Sequence, residues 1–172
     1  VFDVLMALPK MRGYDVVHIV SPIFLELKPR KVRLVFDYLR RHNRSVFLSA
    51  LGSDYDYVKA CIDGDVLKYS EYMVGNTPTE YLQSSEGESE RKNSWLTEEM
   101  RSHQRYVMQH IDGVVACLYE YYKVCEKHVP EKLAYGGIPI DIKSLTPCVC
   151  ECEPAKVKFF IGIQRQRNIY KG

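Results

Sequence analysis

Gly162, Arg165, Lys171 and Gly172 stand close together in the stretch VKFFIGIQRQRNIYKG, behind the apolar run Val157, Phe159, Phe160, Ile161 and Ile163. A short run this rich in β-branched and aromatic residues predicts a buried strand. A glycine inside it marks a place where the backbone comes close to something else. Cations held just past such a strand are suited to gripping phosphate. The alternative for Arg165 and Lys171 is an ordinary solvated surface charge.

Other groups invite a chemical reading with a plainer one beside it. Asp54 follows Gly52 and Ser53 at the end of an apolar segment. There a carboxylate can hold a ligand, or simply cap the next helix. Cys148, Cys150 and Cys152 alternate, so a strand would place three soft ligands on one face, suitable for zinc or copper(I). The fourth ligand and the CxxC spacing of a structural zinc site are missing, and an incidental linker is the competing account. Cys61, Cys117 and Cys125 show no paired spacing and read as reduced thiols. His18 falls in a predicted buried strand and reads as a satisfied core histidine. His103 and His110 are about 10 Å apart along a helix, too far to share a metal, and read as surface or interface residues.

Composition bounds these options. The 172 residues can bury one sizeable core, and 46% hydrophobic with 27% charged residues is ordinary for a globular domain. A net charge of +2 offers no bulk argument for nucleic acid. No apolar run approaches the ~20 residues that a spanning helix needs. The opening VFDVLMALPKM lacks the charged leader and small-residue cleavage site of a signal peptide. A cytoplasmic location is expected.

The elements that would position these residues alternate. A short helix is expected over 1–8 and strands over 14–20, 45–51, 113–117, 132–140 and 157–163. Helices are expected from Pro29 to the Asn43 cap, around 58–62, from the Ser94 cap to Ile111, and over 119–128. The polar segment 75–93, with QSSEGESERKN at its heart, reads as a mobile loop with few contacts. Strands alternating with helices imply parallel pairing through crossovers. The fold class is therefore α/β, a Rossmann-like parallel sheet with helices on both faces. Ligands of such sheets bind outside the carboxyl ends of the strands. That rule selects 21–22, 52–55, 118–119 and 137–141.

In that order the segments resemble the N-terminal half of a two-domain GT-B glycosyltransferase of the large retaining group 1 family. YDVVHIVSP is similar to the family's second-strand motif, and SVFLSALGSD to the strand that ends in a glycine and an acidic residue. DGVVACLYEYY is similar to the strand-to-helix segment before the hinge, and LAYGGIPID to the segment before the interdomain linker. Gly162, Arg165, Lys171 and Gly172 match the opening of the family's second domain, where the Arg and Lys grip the donor's diphosphate. The histidine that many members carry before the glycine of the second motif is replaced here by Leu51.

The resemblance implies an acceptor-side domain over 1–153 that lacks its own start. Residues 154–172 would be the linker and the first strand of a donor-binding domain. The implied activity is transfer of a sugar from a nucleotide-sugar donor to a saccharide or lipid-linked acceptor, in building a surface polysaccharide. No cofactor or metal is implied, because protein cations stabilise the leaving diphosphate. Ser21, Gly52, Asp54 and Tyr55 are the expected acceptor contacts, and Arg165 and Lys171 the donor-diphosphate contacts. The segment 76–93 would fold over the acceptor, and this part alone would be inactive. The helix over 28–44 carries seven cations against one carboxylate. It invites a peripheral contact with anionic lipid, the plainer account being a solvated basic face. A sugar-nucleotide epimerase of the same plan is an alternative, without a pair of carboxylates placed for acid/base work. A stand-alone α/β binding or regulatory domain is another, although Asp54 lacks the acidic neighbours of a phosphoacceptor site.

Overall fold

The computed structural model describes residues 2–138 together with Asp141 and Lys143. The chain opens with α1 (Phe2–Ala7) and enters β1 (Val16–Ile19), which α2 (Pro29–His42) links to β2 (Ser45–Ala50). A long crossover follows, starting with α3 (Tyr55–Asp63) and the two-residue strands β3 (Met73–Val74) and β4 (Thr77–Pro78). It continues through the short helices α4 (Glu80–Gln83) and α5 (Ser85–Ser89), a π-type turn at Glu90–Trp95, and α6 (Glu98–His110). β5 (Gly113–Ala116), α7 (Tyr119–Glu126) and β6 (Leu133–Tyr135) complete the described chain.

The main sheet is parallel throughout, in the order β1-β2-β5-β6. Its register sets Ile19 beside Leu48, Leu48 beside Val114, and Val114 beside Leu133. One face of this row packs with Phe36 and Leu39 of α2, Val107 and Met108 of α6, and Cys125 of α7 in a single core. Because three helices share one set of strand residues, they form one layer on one face. Of the two helical layers that the sequence predicts, the described residues supply this one. On the other face Val16 is exposed, while Phe47 and Val115 are half-buried. His18 lies there too, exposed rather than in the core, with its Nε2 2.8 Å from Ser49 Oγ.

Local chemistry explains the ends of the elements. Pro29 starts α2, where its missing N–H is no loss. Asn43 ends it and ties it to the chain entering β1. Its Nδ2 donates to Leu39 O at 2.8 Å and Met11 O at 2.9 Å, and its Oδ1 accepts from Tyr14 N at 2.9 Å. Gly64 closes α3 in the left-handed conformation, with φ of 69°. The cap of α6 is Thr97, three residues later than the expected Ser94, and it accepts from Met100 N at 3.2 Å.

The segment 75–93 departs from its expected character. It holds helical turns, started by Thr79 and Ser84, whose hydroxyls accept from Leu82 N and Gly87 N. Tyr81 anchors it, packing with Tyr72, Val58 and Cys61 in a second core, against which Trp95 and Leu96 also rest. The Tyr81 hydroxyl donates to Glu90. A few apolar side chains spaced irregularly through a polar stretch leave no periodic trace, yet they suffice to pin it. Tyr81→Ala should therefore cost about 3–5 kcal/mol of stability and open the segment to protease. Urea unfolding and limited proteolysis check this, and unchanged protease resistance would refute the anchoring role.

Candidate functional site at the carboxyl edge of the sheet

Parallel strands bring their outgoing loops to one edge. β1 delivers Ser21, β2 delivers Gly52 to Tyr55, β5 delivers Cys117 to Tyr119, and β6 delivers Gly136 and Gly137. Ser21 is half-buried, and its Oγ accepts from Ile23 N at 3.1 Å, which fixes the turn. Gly52 faces open space, with nothing within 4 Å of where a side chain would begin. Tyr55 is half-buried at the first position of α3 and lines a cleft on the helical side.

Asp54 is the N-cap of α3. Its Oδ1 accepts from Tyr57 N at 2.8 Å, and only 8% of the residue is exposed. Burial is the main influence on it and pushes its pKa up to about 6, against the pull of the Tyr57 N–H. Asp56 adds repulsion, and nearby Gln104 lowers the pKa. Even so, Gln104 Nε2 has no hydrogen-bond partner of ordinary geometry. The capping role of Asp54 is thus visible, and its burial leaves little room for a sugar hydroxyl.

The strand ends on the far side of the edge bring tyrosines together. Tyr119 and Tyr122 of α7 stack at 6.2 Å, and Tyr135, the last residue of β6, meets them edge-on at 6.4 and 5.8 Å. Tyr119 is 63% and Tyr135 56% exposed and present a surface, while Tyr122 is half-buried and rests on the main core. The sequence marks Tyr119 as a strand-end residue but not this grouping. The three come together only because α7 returns beside β6.

His103 is buried in the core, where a surface or interface position is expected. Its Nε2–H donates to Pro22 O at 2.8 Å, and burial holds its pKa below the ordinary histidine range. Its spacing from Val107 and Ile111 places it on the apolar face of α6, a signal present in the sequence. Cys61 and Cys125 are buried free thiols whose pKa burial pushes up to about 11 and about 12, and Cys117 is a half-buried one. Among the described residues no three His, Cys, Asp or Glu side chains converge on one point. Arg165, Lys171, Cys148, Cys150, Cys152 and the boundary between 153 and 154 lie outside the described residues.

No family model matches the chain, and no curated protein or solved structure is significantly similar to it. Among the described residues no helix is long and apolar enough to cross a membrane. The class of protein defined here is a parallel α/β domain with a Rossmann-like sheet.

The capping role carries a pH signature. The folded pKa of Asp54 lies above its unfolded value, so the folded state holds more protons between the two. Stability is therefore highest below the unfolded pKa and falls as pH rises through the folded one. Asp54→Asn keeps a good cap and removes the charge. Its stability relative to wild type should rise by on the order of 1–3 kcal/mol from pH 4 to pH 7, read by urea unfolding. A difference independent of pH would refute the buried charge.

Proposed function

We propose that this chain is the acceptor-side part of a glycosyltransferase that moves a sugar from a nucleotide-sugar donor to a saccharide or lipid-linked acceptor. The observation that carries the reading is the make-up of one sheet edge. Ser21 after β1 and Gly52 to Tyr55 after β2 sit at the same edge as the exposed Tyr119 and Tyr135 and the half-buried Tyr122. Hydroxyls and open backbone beside aromatic faces suit a saccharide, which offers hydroxyls at its rim and C–H groups on its faces. Sequence motifs similar to those of the group 1 family point the same way.

In this reading Ser21, Gly52 and Tyr55 contact the acceptor, and Asp54 holds their loop by capping α3. Arg165 and Lys171 bind the donor diphosphate and stabilise charge building on it as the glycosidic bond breaks. The reaction takes place in the cytoplasm, without a cofactor. In the full-length gene product, Arg165→Ala and Lys171→Ala should each weaken nucleotide-sugar binding at least tenfold. Gly52→Phe should leave donor binding intact and lower transfer to acceptor at least tenfold. Calorimetry with UDP- and GDP-sugars and a transfer assay read both. Donor binding indifferent to Arg165 and Lys171 would sink the assignment, and an absence of binding to any sugar nucleotide would favour a regulatory α/β domain.

A peripheral membrane contact fits the same reading. Leu34 is 69% exposed on α2 and shares a helical face with the exposed Arg30, Lys31 and Arg41. An apolar side chain ringed by cations suits the headgroup region of an anionic bilayer, where lipid-linked acceptors reside. Vesicles containing phosphatidylserine should bind the protein at low salt and release it at high salt. Lys31→Glu with Arg41→Glu should reduce that binding at least fivefold. Equal binding to neutral vesicles would exclude the electrostatic contact.

A further inference from the structure

The helical side of the sheet holds a cleft of about 730 Å³ between α3, α6 and the turn Pro130–Lys132 that leads into β6. We propose that this cleft binds a small molecule carrying a phosphate monoester on a flat or apolar body. The site borders the acceptor edge at Tyr55, but its other lining residues lie on the helical side and it does not rest on the glycosyltransferase reading. Its volume falls in the range of small-molecule sites, roughly 300–1,000 Å³.

The floor and the walls differ in chemistry. Met108 and Val129, each 6% exposed, belong to the main core and form an apolar floor. Tyr55 adds a half-buried ring. Four permanent cations line the cleft, Lys59 from α3, Arg101 and Arg105 from α6, and Lys132 from the turn, against the carboxylates of Asp56 and Glu131. His128 lies 3.9 Å from Asp56 and adds a positive charge when protonated.

The cations differ in how they are held. Lys132 Nζ donates to Gln109 O at 3.0 Å and Met108 O at 3.5 Å, which fixes it at the end of α6. Lys59 pairs with Asp63 at 2.7 Å and Arg101 with Glu98 at 3.3 Å, both at the exposed surface. Such exposed pairs contribute little, so a phosphate can compete for these side chains. Arg105 is exposed and has no ion pair or hydrogen bond among the described residues. A guanidinium presents a fork matched to phosphate oxygens. An inorganic ion would use the rim alone. The apolar floor and the Tyr55 ring fit an organic body attached to the phosphate.

Phenyl phosphate and inorganic phosphate are the probes, titrated into the full chain at 150 mM salt and followed by amide NMR. Phenyl phosphate should bind at least fivefold more tightly than inorganic phosphate, with shifts centred on Tyr55, Lys59, Arg105 and His128. Arg101→Glu with Arg105→Glu, two exposed changes, should weaken it at least fivefold. Arg105→Lys, which keeps the charge and loses the fork, should weaken it less than the double variant does. A preference below fivefold, a loss below fivefold in the double variant, or shifts centred elsewhere would each overturn the proposal. Gly52 does not line the cleft, so Gly52→Phe tells the failure of this proposal apart from that of the acceptor-edge reading.

Discussion

Everything described depends on the burial of one face of a parallel sheet. A parallel strand cannot reach its neighbour by a hairpin, so each step from β1 to β2, β5 and β6 needs a crossover. Parallel crossovers overwhelmingly share one hand, so a strand order that never reverses confines the helices to one side. Phe36, Leu39, Val107 and Met108 then lie over Ile19, Leu48 and Val114, and the loops leaving the strands collect at one edge. The core and the candidate site are thus two outcomes of the same connectivity.

The long crossover between β2 and β5 shows how a polar stretch can be held without a periodic pattern. Tyr72 and Tyr81 are fully buried, and capping hydroxyls start each short turn. The second core built around them packs on α3. Asp54 begins that helix and is itself buried, near Gln104 of α6. One carboxylate therefore joins the end of β2, the start of α3 and the edge of the site. The interior face of the same helix layer makes the core, and its outward side, with Tyr55, Lys59 and Arg105, borders a cationic cleft.

Much of the fold is legible in the sequence. The runs around Val17, Leu48 and Val114 have strand length and content, Pro29 and Asn43 bound a helix, and the alternation of elements forces parallel pairing. The illegible parts have physical causes. His18 reads as buried because its neighbours are apolar, whereas the described layer of helices covers the opposite face. His103, weighed against His110 as a metal pair, reads as a surface or interface residue, although its spacing from Val107 and Ile111 places it on the apolar face of α6. The helical turns of 80–95 depend on long-range contacts of Tyr81 and Trp95 that local propensity does not encode.

The residues at the strand ends follow from the sequence alone, because apolar runs, turn residues and alternation define where each parallel strand stops. That basis places Ser21, Gly52, Tyr55 and Tyr119 at the carboxyl edge. Tertiary structure alone decided which of them share surroundings. It turned Asp54 into a buried cap, gathered Tyr119, Tyr122 and Tyr135, and set Arg105 across a cleft from Lys59. Burial and proximity between distant segments depend on how the helices pack, and no local pattern in the chain records that packing.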